Sequence, residues 1–153
     1  MIINKIDMPN FSKKEFSEDP DEHAHPTLLK NLQGFRIILG SSIYPSKAPG
    51  ALARFGDKDS YSDHYAMNKY SQGIDVFCNC SIFKAWNMAL NCNLWDSVGV
   101  YFDTKLNGEF WPMLHLGIRD MPAMWMRLNK KYYSPHKTAD FFAKLHRAFI
   151  YYK

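Results

Sequence analysis

His64 stands in the polar stretch "SDHYAMNKYSQ", Asp75 follows eleven positions later inside the apolar run "GIDVFC", and His115 lies within "MLHLGI". Imidazole nitrogen and carboxylate oxygen are both zinc ligands, and a catalytic zinc needs three protein ligands with a fourth position left open for water. A carboxylate set among Ile74, Val76 and Phe77 is costly to bury alone, so Asp75 needs a cation or a cationic side chain beside it. Two arrangements meet that need: a metal ion shared with His64 and His115, or a salt bridge to Arg36, Arg54 or Arg119. A histidine on a strand also serves as an ordinary hydrogen-bonded core residue, and the pattern alone leaves that alternative open.

Three groups so far apart in the chain meet only if a sheet collects them. "GIDVFC", Gly73 to Cys78, reads as a buried strand whose period of two puts Asp75 on the face of Gly73 and Phe77. The same period puts His115 with Met113 and Gly117. "SVGVYFD" and "MLHLGI" read as a hairpin around the turn signal Asn107-Gly108. "RIILGSSI", Arg36 to Ile43, reads as a further strand, after a short helix "TLLKNLQGF" that begins behind Pro26. "FSKKEF" reads as a short turn capped by Ser12 with Glu15 three residues on. Pro45, Pro49, Gly50 and Gly56 break the following segment into the long loop that carries His64. "SIFKAWNMALNCN" predicts a helix capped by Ser81, with Ile82, Phe83, Trp86, Ala89 and Leu90 on one face. A last helix, from about Lys137 to Tyr151, carries Phe141, Phe142, Leu145 and Phe149 at helical spacing. Without a regular βαβ alternation the class is α+β: a small, mainly antiparallel sheet with flanking helices. The 153 residues predict a single domain over 1–153.

Composition narrows the function classes. Hydrophobic residues at 46% and aromatic residues at 16% belong to a packed globule and exclude a disordered chain. No apolar run approaches the roughly 20 residues of a membrane span. "MIINKIDMPNFSKKEF" has no apolar signal core, which predicts synthesis in a cytoplasm without a signal peptide. The net charge of +4 is spread over scattered lysines and arginines, which speaks against nucleic acid and suits an anionic polymer such as bacterial cell wall. Cys78, Cys80 and Cys92 cannot all pair within one chain, so they are expected as buried thiols, with soft-metal ligation by the "CNC" step as the alternative.

The run "SKAPGALARFGDKDSYSDHYAMNKYSQGIDVF" resembles the core of phage-encoded relatives of the zinc D-Ala-D-Ala carboxypeptidases, which share a fold with the Hedgehog signalling domain. In that superfamily an S-x-H motif supplies the first ligand, an aspartate after a glycine-containing stretch the second, and a late histidine the third. The matching residues are Ser62-Asp63-His64, Gly73-Ile74-Asp75, and His115 within "WPMLHLGIR". Upstream, "FSKKEF" and "HPTLLKNLQGFRIILGSSIYPS" are similar to the opening elements of these enzymes, so the likeness covers roughly residues 10 to 120. The chain departs from the pattern in the eleven-position step from His64 to Asp75, and in Gly117, where many relatives carry an acidic residue.

The resemblance implies a zinc metallopeptidase, D-Ala-D-Ala carboxypeptidase-like or L-Ala-D-Glu endopeptidase-like. Its zinc would be held by His64, Asp75 and His115, and its substrates would be the peptide stems of peptidoglycan. It implies a phage lysin or a virion-associated wall hydrolase, made in the host cytoplasm, with virion or tail proteins as further partners. It gives Glu109, six residues before His115, the role of base, with Asp103 in reserve; a solvated surface role is the alternative for Glu109. Arg54 would bind a substrate carboxylate or polarise a carbonyl, or else pair with Asp57, Asp59 or Asp75. Ser62 would hydrogen-bond within the site, and Tyr44, Tyr61, Tyr65 and Trp111 would line the cleft or join the core. Two rivals stand beside the enzyme: a metal-binding structural or recognition module of the same fold without hydrolysis, and a metal-free capsid or tail protein in which Asp75 pairs with arginine.

Overall fold

Along the three strands that carry or flank the candidate ligands, the even-numbered residues are uniformly apolar: Ile74, Val76 and Cys78, then Val98 and Val100, then Leu114 and Leu116. The odd-numbered ones include Gly73, Asp75, Ser97, Gly99, His115 and Gly117. Successive side chains leave a strand on opposite faces, so one face of the resulting sheet is an apolar wall and the other carries the chemistry. The computed structural model describes residues 2–3, 6–67 and 69–152. It is an α+β chain built on a six-stranded, mainly antiparallel sheet.

In chain order the elements are β1 (Ile2–Ile3), β2 (Ile6–Asp7), a 3-10 turn (Lys13–Glu15), α1 (Pro20–His23), α2 (Pro26–Leu39), β3 (Ile43–Pro45), a 3-10 turn (Asp57–Asp59), β4 (Gly73–Cys78) and α3 (Ile82–Asn91). There follow β5 (Ser97–Tyr101), β6 (Lys105–Leu106), β7 (Glu109–Phe110), β8 (Met113–Gly117), β9 (Ala123–Leu128), β10 (Lys131–Tyr133) and α4 (Phe141–Tyr151). The large sheet runs β10-β9-β5-β8-β4-β3, and each neighbouring pair is antiparallel except β5 with β9. Its register draws one row across four strands: Asp75 faces His115, His115 faces Gly99, and Gly99 faces Trp125. β6 and β7 form the small hairpin whose turn residues, Asn107 and Gly108, both have positive φ, as a two-residue hairpin turn requires.

The apolar wall packs against α2, α3 and α4. Leu28, Leu29, Leu32 and Phe35 from α2 join Ile82, Ala85 and Trp86 from α3, and Phe141, Leu145 and Phe149 from α4, in one core cluster with the even-numbered strand residues. Phe149 meets Phe83 and Phe102 edge-on, each at 5.4 Å between ring centres. Each large side chain buried this way contributes about 1.5–3 kcal/mol, which fixes the sheet on the helices and leaves its other face free.

Three sequence expectations change. Arg36–Leu39 are the last turn of α2, and the strand is confined to Ile43–Pro45. The helical spacing of Leu28, Leu32, Phe35 and Leu39 outweighs the β-branched pair Ile37 and Ile38, which point to solvent at 67% and 48% exposure. Gly40, at φ +67°, then ends the helix with its N–H on the Ile37 carbonyl, a conformation glycine adopts without strain. On α3 the buried face is Ile82, Ala85, Trp86 and Ala89, while Phe83 and Leu90 lie at its exposed margin. On α4 Phe142 is exposed and Ala148 takes the buried position, and the helix begins at Phe141, not near Lys137.

β1, β2, α1, β9 and β10 have no counterpart in the sequence expectations. Of the three free cysteines, Cys78 is buried and Cys80 and Cys92 are half-buried. Burial pushes all three thiols up, away from the thiolate a soft-metal site needs. No helix among the described residues is long and apolar enough to cross a membrane. The expectation of no signal core rests partly on residues 1, 4 and 5, which lie outside the described residues.

Candidate metal centre

His64 reaches the sheet from a loop that is fixed at several points. Its N–H donates to Ser62 Oγ at 3.2 Å. The chain on either side pairs with Arg54: Arg54 N–H donates to the His64 carbonyl at 2.7 Å and Ala66 N–H to the Arg54 carbonyl at 2.8 Å. The imidazole Nδ1 faces the Leu52 carbonyl at 3.4 Å. A carbonyl can only accept, so Nδ1 carries the hydrogen and Nε2 keeps its lone pair. Leu52 is held in turn by Glu18, whose carboxylate accepts N–H groups from Gly50, Leu52 and Ala53 at 2.6, 3.2 and 3.3 Å. Ser71 Oγ donates to the same Leu52 carbonyl at 2.5 Å.

That free nitrogen points at the two sheet residues. His64 Nε2 lies 3.0 Å from His115 Nδ1 and 3.3 Å from Asp75 Oδ1, and His115 Nδ1 lies 3.1 Å from Asp75 Oδ1. The three side chains are buried. Four donors placed tetrahedrally about 2.0–2.1 Å from a zinc ion stand roughly 3.3 Å apart, so the triangle observed is one face of such a polyhedron within a few tenths of an ångström. Without a cation, two imidazole nitrogens and a carboxylate oxygen at this spacing repel unless a proton lies between them. The residues present therefore fit a divalent ion with two nitrogen ligands and one oxygen ligand.

Charge balance points the same way. Burial pushes the Asp75 carboxyl up, but the two imidazoles outweigh it and hold the group well below the usual carboxylate range. Burial opposes charge on His115 too, and its contacts with Asp63 and Asp75 overcome this and raise its pKa. Among the described residues Asp75 has no arginine partner; its ion pairs are with His64 and His115. The expected salt bridge from Asp75 to Arg36, Arg54 or Arg119 is absent among the described residues, and the two imidazoles take its place.

A fourth polar residue, Asp63, was not singled out from the sequence. Its Oδ2 lies 2.9 Å from His115 Nε2 and accepts Ser97 Oγ–H at 2.5 Å, and its Oδ1 pairs with Arg119 Nε at 3.1 Å. Burial pushes this carboxyl up, and His115, Ser97 and Arg119 together bring it below its ordinary value. Trp125 packs on the His115 ring at 4.6 Å between centres, above Gly99. The period-two pattern of "AMWMRL" would have found Trp125, had that segment been read as a strand.

The expected site residues separate into two groups. Arg54 is half-buried beside the centre and donates from Nε to the Gly50 carbonyl at 3.0 Å; among the described residues it has no ion pair with Asp57, Asp59 or Asp75. Two clefts flank the ligands. One of about 280 Å³ is lined by Arg54, Tyr61, Asp63, His64, His115 and Trp125 among others. The other, of about 310 Å³, includes Asp75, Phe77 and Arg127, and Arg54 and Tyr101 line both. Glu109 is exposed on β7 and lines neither cleft. Asp103 is engaged by Arg127 Nε at 2.8 Å and Lys130 N–H at 2.6 Å. Tyr44 and Trp111 line a separate groove near Lys47 and Leu106, and Tyr65 packs against Lys69, so of the four aromatics Tyr61 alone reaches the ligand clefts. Comparison of the chain with family models, with curated proteins and with solved structures finds no match.

Proposed function

We propose that the chain is a zinc-dependent peptidase that hydrolyses the peptide stems or cross-links of bacterial peptidoglycan, serving a phage as a lysin or as a virion-associated wall hydrolase. The observation that carries this reading is the triangle of His64 Nε2, Asp75 Oδ1 and His115 Nδ1, three donors from a loop and two strands within 3.3 Å of one another. The substrate class and the phage context rest on the resemblance of the S-x-H, G-x-D and late-histidine motifs to the zinc D-Ala-D-Ala carboxypeptidases and the Hedgehog fold.

When bound, zinc supplies Lewis acidity that activates water near neutral pH and draws charge from a carbonyl oxygen. The chain's own contribution is to bury the ligand side chains at the foot of a cleft, to place Arg54 on the lining of both clefts, and to leave room beside the centre for an extended peptide. A planar guanidinium in that position suits a substrate carboxylate or carbonyl.

A second reading, a metal-binding recognition module of the same fold without hydrolysis, is favoured by one observation. The two acidic residues considered for proton transfer are an exposed Glu109 and an Asp103 already paired with Arg127.

Metal analysis of protein purified without a histidine tag, followed by digestion of wall fragments, separates the readings. The expected result is close to one zinc per chain and cleavage of stem peptides, with His115→Ala losing both. Glu109→Gln is expected to keep its rate, where loss of a general base would lower it about 10²–10⁴-fold. Stoichiometric zinc with every stem peptide intact would favour the recognition module, and a wild-type chain free of metal would overturn both.

A further inference from the structure

His115 reaches the ligand triangle through Nδ1, the nitrogen nearer its own backbone, and its other nitrogen is turned away toward Asp63. Of the contacts around that Nε2, Asp63 Oδ2 at 2.9 Å is the close one; Ser97 Oγ stands at 3.5 Å and gives its own hydrogen to the same carboxylate. A carboxylate accepts and does not donate, so it draws the imidazole hydrogen to Nε2 and leaves the Nδ1 lone pair facing Asp75 and His64. Asp63 is itself fixed at both ends. Its carbonyl accepts Gln72 N–H at 2.8 Å, and its second carboxylate oxygen pairs with Arg119.

The sheet makes room for this carboxylate by lacking side chains beneath it. A Cβ on Gly117 would fall 2.2 Å from Asp63 Oδ2 and 2.1 Å from Ser97 Oγ, and one on Gly73 would fall 2.6 Å from Asp63 Cβ and 2.9 Å from His115 Cε1. Gly73 and Gly117 face one another across β4 and β8. The volume that a side chain at 117 would fill is thus shared by the Ser97 hydroxyl and a carboxylate arriving from the loop, one residue before His64.

We propose that Asp63 is the positioning residue of the metal centre: it fixes the tautomer and ring orientation of His115 from outside the ligand set, and together with Ser97 it fills the space that a side chain at Gly117 would need. The inference rests on the metal-centre reading above.

The test is zinc affinity, measured by competition with a chromophoric chelator, alongside the visible absorption of the cobalt(II)-loaded protein, for wild type, Asp63→Asn and Asp63→Ala. Loss of such an outer hydrogen-bond partner weakens metal affinity about 10–100-fold, and Asp63→Ala is expected in that range with an altered cobalt band. Asp63→Asn keeps an accepting oxygen and is expected nearer to wild type than to Asp63→Ala. Should Asp63→Ala fail to fold, Asp63→Asn still decides, since a loss of about 10–100-fold there would show that the accepting oxygen is not what acts. Wild-type affinity in Asp63→Ala overturns the inference while leaving the metal centre standing. A wild-type chain that binds neither zinc nor cobalt overturns the metal centre and this inference with it.

Discussion

Asp75, Asp63 and His115 hold opposite charges close together at the foot of a cleft, so acid and alkali act on the metal-free protein in opposite senses. The two carboxyls titrate below their ordinary value in the fold. Their stabilisation is present above about pH 3.9, the unfolded value, and is lost as pH falls through the depressed folded values. His115 titrates above its ordinary value. Its contribution is full below about pH 6.5 and is lost as pH rises through the raised folded value. Metal-free protein is therefore expected to melt highest between about pH 4 and 6.5, and circular dichroism melts from acid to alkaline pH check this. A melting temperature that climbs steadily through the alkaline side would contradict it. With zinc present the alkaline limb should reverse, because metal and proton compete for the same imidazole lone pairs. At this scale the sequence pointed to the residues that the fold brings together, because a histidine and an aspartate inside the apolar runs around Asp75 and His115 need partners. It concealed Asp63, whose part depends on a void at Gly117 that exists once β4 and β8 are in register.

Among the elements, β5 and β9 are coupled to the site through one absent side chain. A Cβ on Gly99 would lie 2.3 Å from the Trp125 ring, which covers both this glycine and His115. Gly99→Ala must push the indole off the imidazole, so it is expected to destabilise the fold by about 1–3 kcal/mol. It is also expected to expose His115; the melting temperature and the tryptophan emission together would show it. An unshifted melting temperature would mean that Trp125 moves freely. β4, β8, α3 and the Asn107-Gly108 turn were legible because period and punctuation agree there. β9 and β10 were not: their turn is Asn129-Lys130, both at positive φ without a glycine to announce it. α2 was misjudged at its end because two isoleucines imitate a strand where the helix merely turns them outward.

For the whole molecule, the candidate ligands come from a loop and two strands far apart in the chain, so a metal that binds the folded state alone stabilises all of it. Free zinc at 100 times its dissociation constant should add about 2.7 kcal/mol. For a chain of this size that is a rise of several degrees in melting temperature, reversed by a chelator; equal melting with and without zinc would argue against a preformed centre. This arrangement also ties the centre to the start of the chain. Glu18 grips the amides of Gly50, Leu52 and Ala53, and the Leu52 carbonyl steers His64. Trimming the protein past its first turns, or fusing a bulky partner there, would consequently act as an injury to the His64 side of the candidate centre, although no residue in that stretch belongs to the triangle itself.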